Sequence, residues 1–372
     1  MSFLDIYNKY ENFDFLDFFS KVNLNDVKNT FHKETLSSYD LVVLLSNKSD
    51  VFLEELAQKA RSISLRNFGK VIFLYTPMYI ADYCVNECSY CGFNARNAAS
   101  RKKLSLYEIK KEAEYIHSTG INHVLVLTGE SRIESPVQYI KDAVKILKKY
   151  FSSISIEIYP LEKEEYKMLI DIGVDGLTIY QEVYDKKMYD KVHISGPKKN
   201  YLFRMETPER AASVGMRTIN IGILLGISDW QKEIFFLAEH ARYLEDKFPS
   251  SEISVSIPRI RPQVSGFTAP YEINDKDFAK IIIILRLFLP RAGITISTRE
   301  NAYLRDNLIS LGITRMSAGS TTVVGGHGSS KNNSSEKTLP QFQIFDERSV
   351  DEMKNMIILK GYQPVLKDWM NL

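Results

Sequence analysis

Cysteine is scarce in this chain: 372 residues hold three, Cys84, Cys88 and Cys91, all within eight positions. With no partners elsewhere they argue against a disulfide framework. Long hydrophobic runs are missing too. The most apolar stretch, 281–289, contains Arg286 and is too short and too charged to span a bilayer. Nor is there a large charge of one sign. The 48 basic side chains against 46 acidic ones leave a net +2, which suggests neither a nucleic-acid surface nor a polybasic membrane patch. Near the N-terminus, Asp5 and Glu11 interrupt any apolar segment, so no secretory signal is expected. A reducing cytoplasm is the expected compartment. What is present is ordinary for a folded protein: 44% hydrophobic and 25% charged residues. The length suits one large α/β barrel with extensions, or two ordinary domains.

The little cysteine there is sits where it can bind metal. Cys84-Val85-Asn86-Glu87-Cys88-Ser89-Tyr90-Cys91 brings three soft ligands together, and thiolates select zinc or iron–sulfur clusters. Structural zinc wants a fourth protein ligand, and His32, His117 and His123 are not at loop spacing. A cubane held by three cysteines leaves its fourth iron open to a small molecule. A partial zinc knuckle, or buried cysteines clustered by chance, are the bland readings. The pattern C-x3-C-x2-C, with aromatic Tyr90 before the last cysteine, resembles the radical S-adenosylmethionine (SAM) superfamily. That resemblance implies a 4Fe–4S cluster on three cysteines, with SAM at the exchangeable iron.

Along the chain, residues 1–69 have helical periodicity and no strand pattern, and are read as an N-terminal helical extension. From Lys70 strands and helices alternate. A strand over 71–75 feeds Thr76 and Pro77 into the cysteine loop. Ser105 and Glu108 have capping-box spacing; Ser135-Pro136 opens a helix with Pro at its first position; Ser349 and Glu352 start a last helix. The strands share one parity. Ile154, Ile156 and Ile158 alternate with Ser153, Ser155, Glu157 and Tyr159. Ile219, Ile221 and Ile223 alternate with Thr218, Asn220 and Gly222. One isoleucine face and one polar face do not suit an open sheet covered on both sides. They predict a (β/α)8 TIM-type barrel with an unusually polar lumen, its strands near 71, 123, 154, 177, 219, 253, 294 and 313. The expected organisation is 1–69 extension, 70–322 barrel, and 323–372 C-terminal loop and helix packing on the barrel, with a mobile Gly-, Ser- and Asn-rich loop over 325–335.

Active groups of such barrels lie at the C-terminal ends of strands. Gly129 and Glu130 follow the second strand and resemble the superfamily's segment for the SAM amino group. Glu157 faces the lumen near the end of the third, where a carboxylate needs a partner or a ligand, and is grouped with the cofactor-binding residues; a structural salt bridge is the other reading. Glu182 and Arg204 resemble the Glu and Arg that contact SAM in related barrels, or else form a surface ion pair. Tyr90 is placed against the adenine. Arg299, at the end of the seventh strand, suits a substrate carboxylate, with Ser317 and Ser320 as further donors. Arg259 and Arg261 are weaker candidates, and no histidine has ligand spacing.

Further blocks narrow the resemblance: Gly196-Pro197-Lys198, Thr207-Pro208-Glu209-Arg210-Ala211, Pro258-Arg259-Ile260-Arg261-Pro262, Gln341-Phe342, and Pro364-Val365-Leu366-Lys367-Asp368-Trp369. They are similar to the tyrosine lyases of thiamine biosynthesis, the 2-iminoacetate synthases, over nearly the whole chain. The family implies Cα–Cβ cleavage of L-tyrosine to dehydroglycine (2-iminoacetate) and p-cresol, a flavodoxin- or ferredoxin-type reductant, and hand-over of the imine to thiazole synthase. A hydrogenase-maturation relative carries a second cluster on C-terminal cysteines, and here none follows Cys91. A tryptophan lyase, and a non-catalytic metal-binding scaffold, stand as alternatives.

Overall fold

A computed structural model describes residues 2–264, 266–327 and 339–367. Eight parallel strands close into a barrel: β1 (Val71–Ala81), β2 (His123–Thr128), β3 (Ser153–Glu157), β4 (Gly176–Glu182), β5 (Thr218–Ile223), β6 (Glu252–Ser256), β7 (Gly293–Ile296) and β8 (Arg315–Ser317). Each pairs with the next, and β1 closes the ring by pairing with both β8 and β2. The eight strands expected from the alternation are all there.

Two details differ from expectation. β1 runs on to Ala81 instead of ending at Tyr75. Pro77 is tolerated inside it because β8 pairs only as far as Tyr75, so no ladder partner misses its N–H. A ninth strand, β9 (Gln363–Val365), lies parallel to the first residues of β1, below the point where β2 begins. Three residues around Pro364 carry too little pattern to be read as a strand.

The helices form where their caps lie. Ser105 and Ser349 each close a capping box, with Glu108 and Glu352. The helix Val137–Leu147 begins one residue later than expected, with Pro136 as its cap. Residues 3–68 supply five α-helices and one 3-10 turn. Phe3 stacks on His240, and Phe15 meets Phe235 edge-on, so this segment lies against the outer-ring helix Trp230–Lys247. Arg286, the charge inside the apolar run, is fully buried. Its guanidinium donates to the carbonyls of Leu289, Pro290, Ala292 and Gly312 at 2.8–3.1 Å. It ties the end of its helix to the turns before β7 and β8. Among the described residues no helix is long and apolar enough to cross a membrane. Residues 328–335 of the Gly-rich stretch, and Asp368 and Trp369 of the tail motif, lie outside the described residues.

The isoleucines of the strands face the outer helices and are buried. The opposite parity fills the lumen with polar groups, as expected. Its lower part is lined by His123, Ser155, Thr178, Asn220, Thr295 and Arg315. His123 Nε2 and Ser155 Oγ are 3.0 Å apart. The amide of Asn220 donates to Ser256 Oγ at 2.9 Å and accepts from Ser254 Oγ at 3.0 Å.

Candidate functional site: the mouth of the barrel

Above that floor the lumen widens into a cavity at the C-terminal ends of the strands. It encloses about 1230 Å³ of unfilled space, open solvent at its mouth included. Cys84, Cys88, Cys91, Tyr90, Gly129, Glu130, Glu157, Glu182, Arg204, Arg299, Ser317 and Ser320 all line it. All the main site candidates from the sequence therefore reach one space. Arg259 and Arg261, the weaker candidates, do not line it: both are paired with the buried Glu300.

The cysteine loop leaves β1 and is pinned on two sides. Val85 N donates to Glu130 O at 2.9 Å, Ser89 N to Val192 O at 2.9 Å, and Gly92 N to Gln341 O at 2.9 Å. Gly129 has a reason beyond ligand approach, because a Cβ there would lie 2.4 Å from Tyr83 O. Cys88 and Cys91 are pushed up to about 12 and about 11 by burial. A neighbouring thiol adds to this at both, Cys91 and Cys84 acting on Cys88 and Cys84 on Cys91. As thiolates, Cys88 and Cys91 thus call for a compensating positive centre. Among the described residues no three Cys, His, Asp or Glu side chains close on a single ion. A donor set of three soft sulfurs facing an open cavity fits a cluster whose irons each take one ligand.

Glu182 stands at a bulge of β4 and is a non-glycine residue with positive φ, 71°. Such strain persists only where the surroundings enforce it. Lys198 Nζ lies 2.6 Å from its Oε1, and Arg204 Nη2 lies 3.9 Å away. Burial alone would raise its carboxyl; Lys198 and Arg204 outweigh that and hold it below the ordinary value. Arg204 Nε also donates to Tyr180 O at 2.6 Å. Tyr90 donates to His193 Nε2 at 2.7 Å, because His193 Nδ1 is committed to Tyr189 O at 2.8 Å. Glu130 accepts from Asn86 Nδ2 at 2.6 Å, and Asn86 Oδ1 takes Lys198 N at 2.9 Å.

Three groups in the cavity have no hydrogen-bond or ion-pair partner for their side chains among the described residues. Glu157 accepts no hydrogen bond, and its carboxyl is raised to about 7 by burial and then by the charge of Glu182. Arg299 has no carboxylate partner; its guanidinium lies 3.5 Å from the centre of the Phe342 ring. Ser320 Oγ is buried and unpaired, whereas Ser317 Oγ already accepts Thr298 N at 3.1 Å.

The sequence reading missed Lys198, Asn86, Tyr79, Tyr180, Gln341 and Phe342, which also line this space. Lys198, Gln341 and Phe342 lay in resembling blocks that were given no role. Asn86 was hidden by being a spacer between cysteines.

The site can be set beside known proteins. Residues 78–238 match the Radical SAM superfamily, and 256–363 the Biotin and Thiamin Synthesis associated domain. Over 345 residues the chain is 34% identical to the 2-iminoacetate synthase of Salmonella typhimurium (strain LT2), covering 92% of this chain and 90% of that one. The chain belongs to the 2-iminoacetate synthase family. The Escherichia coli (strain K12) 2-iminoacetate synthase is likewise 34% identical over 92% of this chain and 90% of its own. Among solved structures, HydG, a maturase of the FeFe-hydrogenase, superposes with a TM-score of 0.88 at 31% identity, covering 95% of this chain and 78% of that chain. The chain is a radical SAM enzyme, and the superfamily's 4Fe–4S cluster and SAM are its cofactors.

Proposed function

We propose that this protein cleaves the Cα–Cβ bond of L-tyrosine to 2-iminoacetate and p-cresol, with SAM converted to 5′-deoxyadenosine and methionine. The observation that carries this reading is the single cavity in which three thiols, the unpaired Arg299 guanidinium and the unpaired Glu157 carboxyl meet. Cys84, Cys88 and Cys91 would hold the cluster, and Glu130, Glu182, Arg204 and Tyr90 would hold SAM. When bound, the cluster and SAM would supply the radical chemistry, hydrogen abstraction from the substrate amine.

The chain's own side chains supply position and proton control. Arg299, kept planar on Phe342, grips the substrate carboxylate in a two-pronged bond, with Ser320 and Ser317 as further donors. Glu157 Oε takes a proton from the substrate ammonium, a task suited to a carboxyl poised near neutrality. Alignment of this kind accounts for several kcal/mol of barrier lowering. The segment around Gln341 and Phe342 covers the mouth and keeps water from the reacting groups.

By the same reading the protein works in a reducing cytoplasm with a flavodoxin- or ferredoxin-type donor, and passes its water-sensitive imine to thiazole synthase. Residues 1–69 and 323–372 serve as helical and C-terminal extensions of a 70–322 barrel. The test is anaerobic reconstitution with iron, sulfide, SAM and reductant, offering tyrosine and tryptophan separately. p-Cresol and 5′-deoxyadenosine from tyrosine are expected. No 5′-deoxyadenosine with either amino acid would mean a scaffold, and turnover of tryptophan alone would overturn the substrate.

A further inference from the structure

We infer that Gln341, 250 residues beyond the last cysteine, is a positioning residue that sets the reduction potential of the centre held by Cys91. This rests on the reading of the three cysteines as cluster ligands, and adds to it a residue from the far end of the chain.

The geometry is as follows. Gln341 Nε2 lies 3.9 Å from Cys91 Sγ, a long N–H···S contact, and donates to no other group among the described residues. Gln341 Oε1 accepts from Tyr79 OH at 2.7 Å. The sulfur decides which end of the amide faces it, because turning the amide round would point a carbonyl oxygen at a thiolate; the Tyr79 hydroxyl holds the other end. The backbone is held as firmly as the side chain. Gly92 N, next to Cys91, donates to Gln341 O at 2.9 Å. A Cβ on Gly92 would lie 2.2 Å from Pro340 O and 2.8 Å from Gln341 O, so glycine is what lets the C-terminal segment come this close. Cys84 has a comparable contact from within its own loop: Asn86 Nδ2 stands 3.8 Å from Cys84 Sγ, and its other hydrogen goes to Glu130 at 2.6 Å.

Reduction adds an electron to a buried centre and raises the negative charge on its sulfurs. An N–H dipole aimed at one sulfur stabilises the reduced form more than the oxidised form, and hydrogen bonds to the sulfurs are among the determinants of cluster potential. Gln341 therefore makes the cluster easier to reduce. Tyr79 acts through it by fixing the amide.

The experiment is a redox titration of reconstituted full-length protein followed by electron paramagnetic resonance, without substrate. Wild type is compared with Gln341→Leu, Gln341→Glu and Tyr79→Phe. In Gln341→Leu the ratio of reduced to oxidised cluster at a fixed applied potential should fall about tenfold, ~59 mV for one electron. Gln341→Glu, which places an acceptor against the sulfur, should fall at least as far, and Tyr79→Phe by less. Iron and sulfide content should match wild type in all three. A wild-type protein that takes up no cluster would defeat the underlying reading. Full cluster loading with an unchanged midpoint in both Gln341 variants would defeat this inference alone. Should Gln341→Leu fail to fold, the isosteric Gln341→Glu decides.

Discussion

The floor and the mouth of the lumen are built from the same strands and differ in what their polar groups do. On the floor, most side chains are neutral and His123 pairs with Ser155 and Asn220 with Ser254 and Ser256, though Thr295 Oγ1 is left unpaired and Arg315 brings a charge. At the mouth, the Glu157, Arg299 and Ser320 side chains have no hydrogen-bond or ion-pair partner among the described residues, and Glu182, at a strained backbone position, faces two cations. Buried polar groups are normally paired. A floor of mostly neutral, mostly paired groups is structure; a mouth that leaves a carboxyl and a guanidinium open is a binding site. Glu182 shows that the mouth is also the place where the fold tolerates strain.

Substitutions can break that distinction. Arg299→Gln should raise the KM for tyrosine by roughly 10- to 150-fold, the equivalent of about 1.5–3 kcal/mol for hydrogen bonds to a charged group. Its melting temperature should stay at the wild-type value, because no ion pair is lost. A large fall in stability with unchanged KM would place Arg299 with the floor.

Glu157 gives a smaller, pH-dependent effect. Its carboxyl is raised to about 7, so its charge is present above that pH and lost below it. Tyrosine binding should weaken about tenfold between pH 8 and pH 6, and Glu157→Gln should flatten the profile. The sign for stability is the reverse. A carboxyl raised on folding favours the fold most at acid pH, and that contribution is lost as pH rises through about 7. Glu157→Gln should therefore melt higher than wild type at pH 8 in the absence of ligand, as differential scanning calorimetry would show.

The smallest effect on turnover is expected from the floor. Asn220→Ala leaves Ser254 and Ser256 without their shared partner and should cost about 1–3 kcal/mol of stability. Tyrosine KM and SAM affinity should not move. A KM change without a stability change would join floor and mouth into one site.

The barrel was legible because isoleucine on alternate positions is a period-2 signal that five strands repeat. The lumen's polarity followed from the same parity, and so did the placement of Glu157; Arg299 was expected on the end of the seventh strand but lies in the turn past its last residue, Ile296, and still reaches the cavity. What could not be seen were groups brought in by tertiary contact. Lys198 meets Glu182 and Gln341 meets Cys91 across long sequence separations, and no local pattern encodes that. The length of β1 was missed because Pro77 normally ends a strand; only the early end of β8 makes it harmless. Asn86 was invisible for a different reason, since its amide bridges two segments from a position where any spacer would keep the cysteine pattern.

The most direct test of the central claim is to count metal in anaerobically reconstituted protein and record the reduced spectrum with and without SAM. The account predicts four irons and four sulfides per chain, a spectrum that SAM alters, and loss of both in Cys84→Ala, Cys88→Ala and Cys91→Ala alike. A single zinc per chain, or full iron loading in any one of those variants, would contradict it.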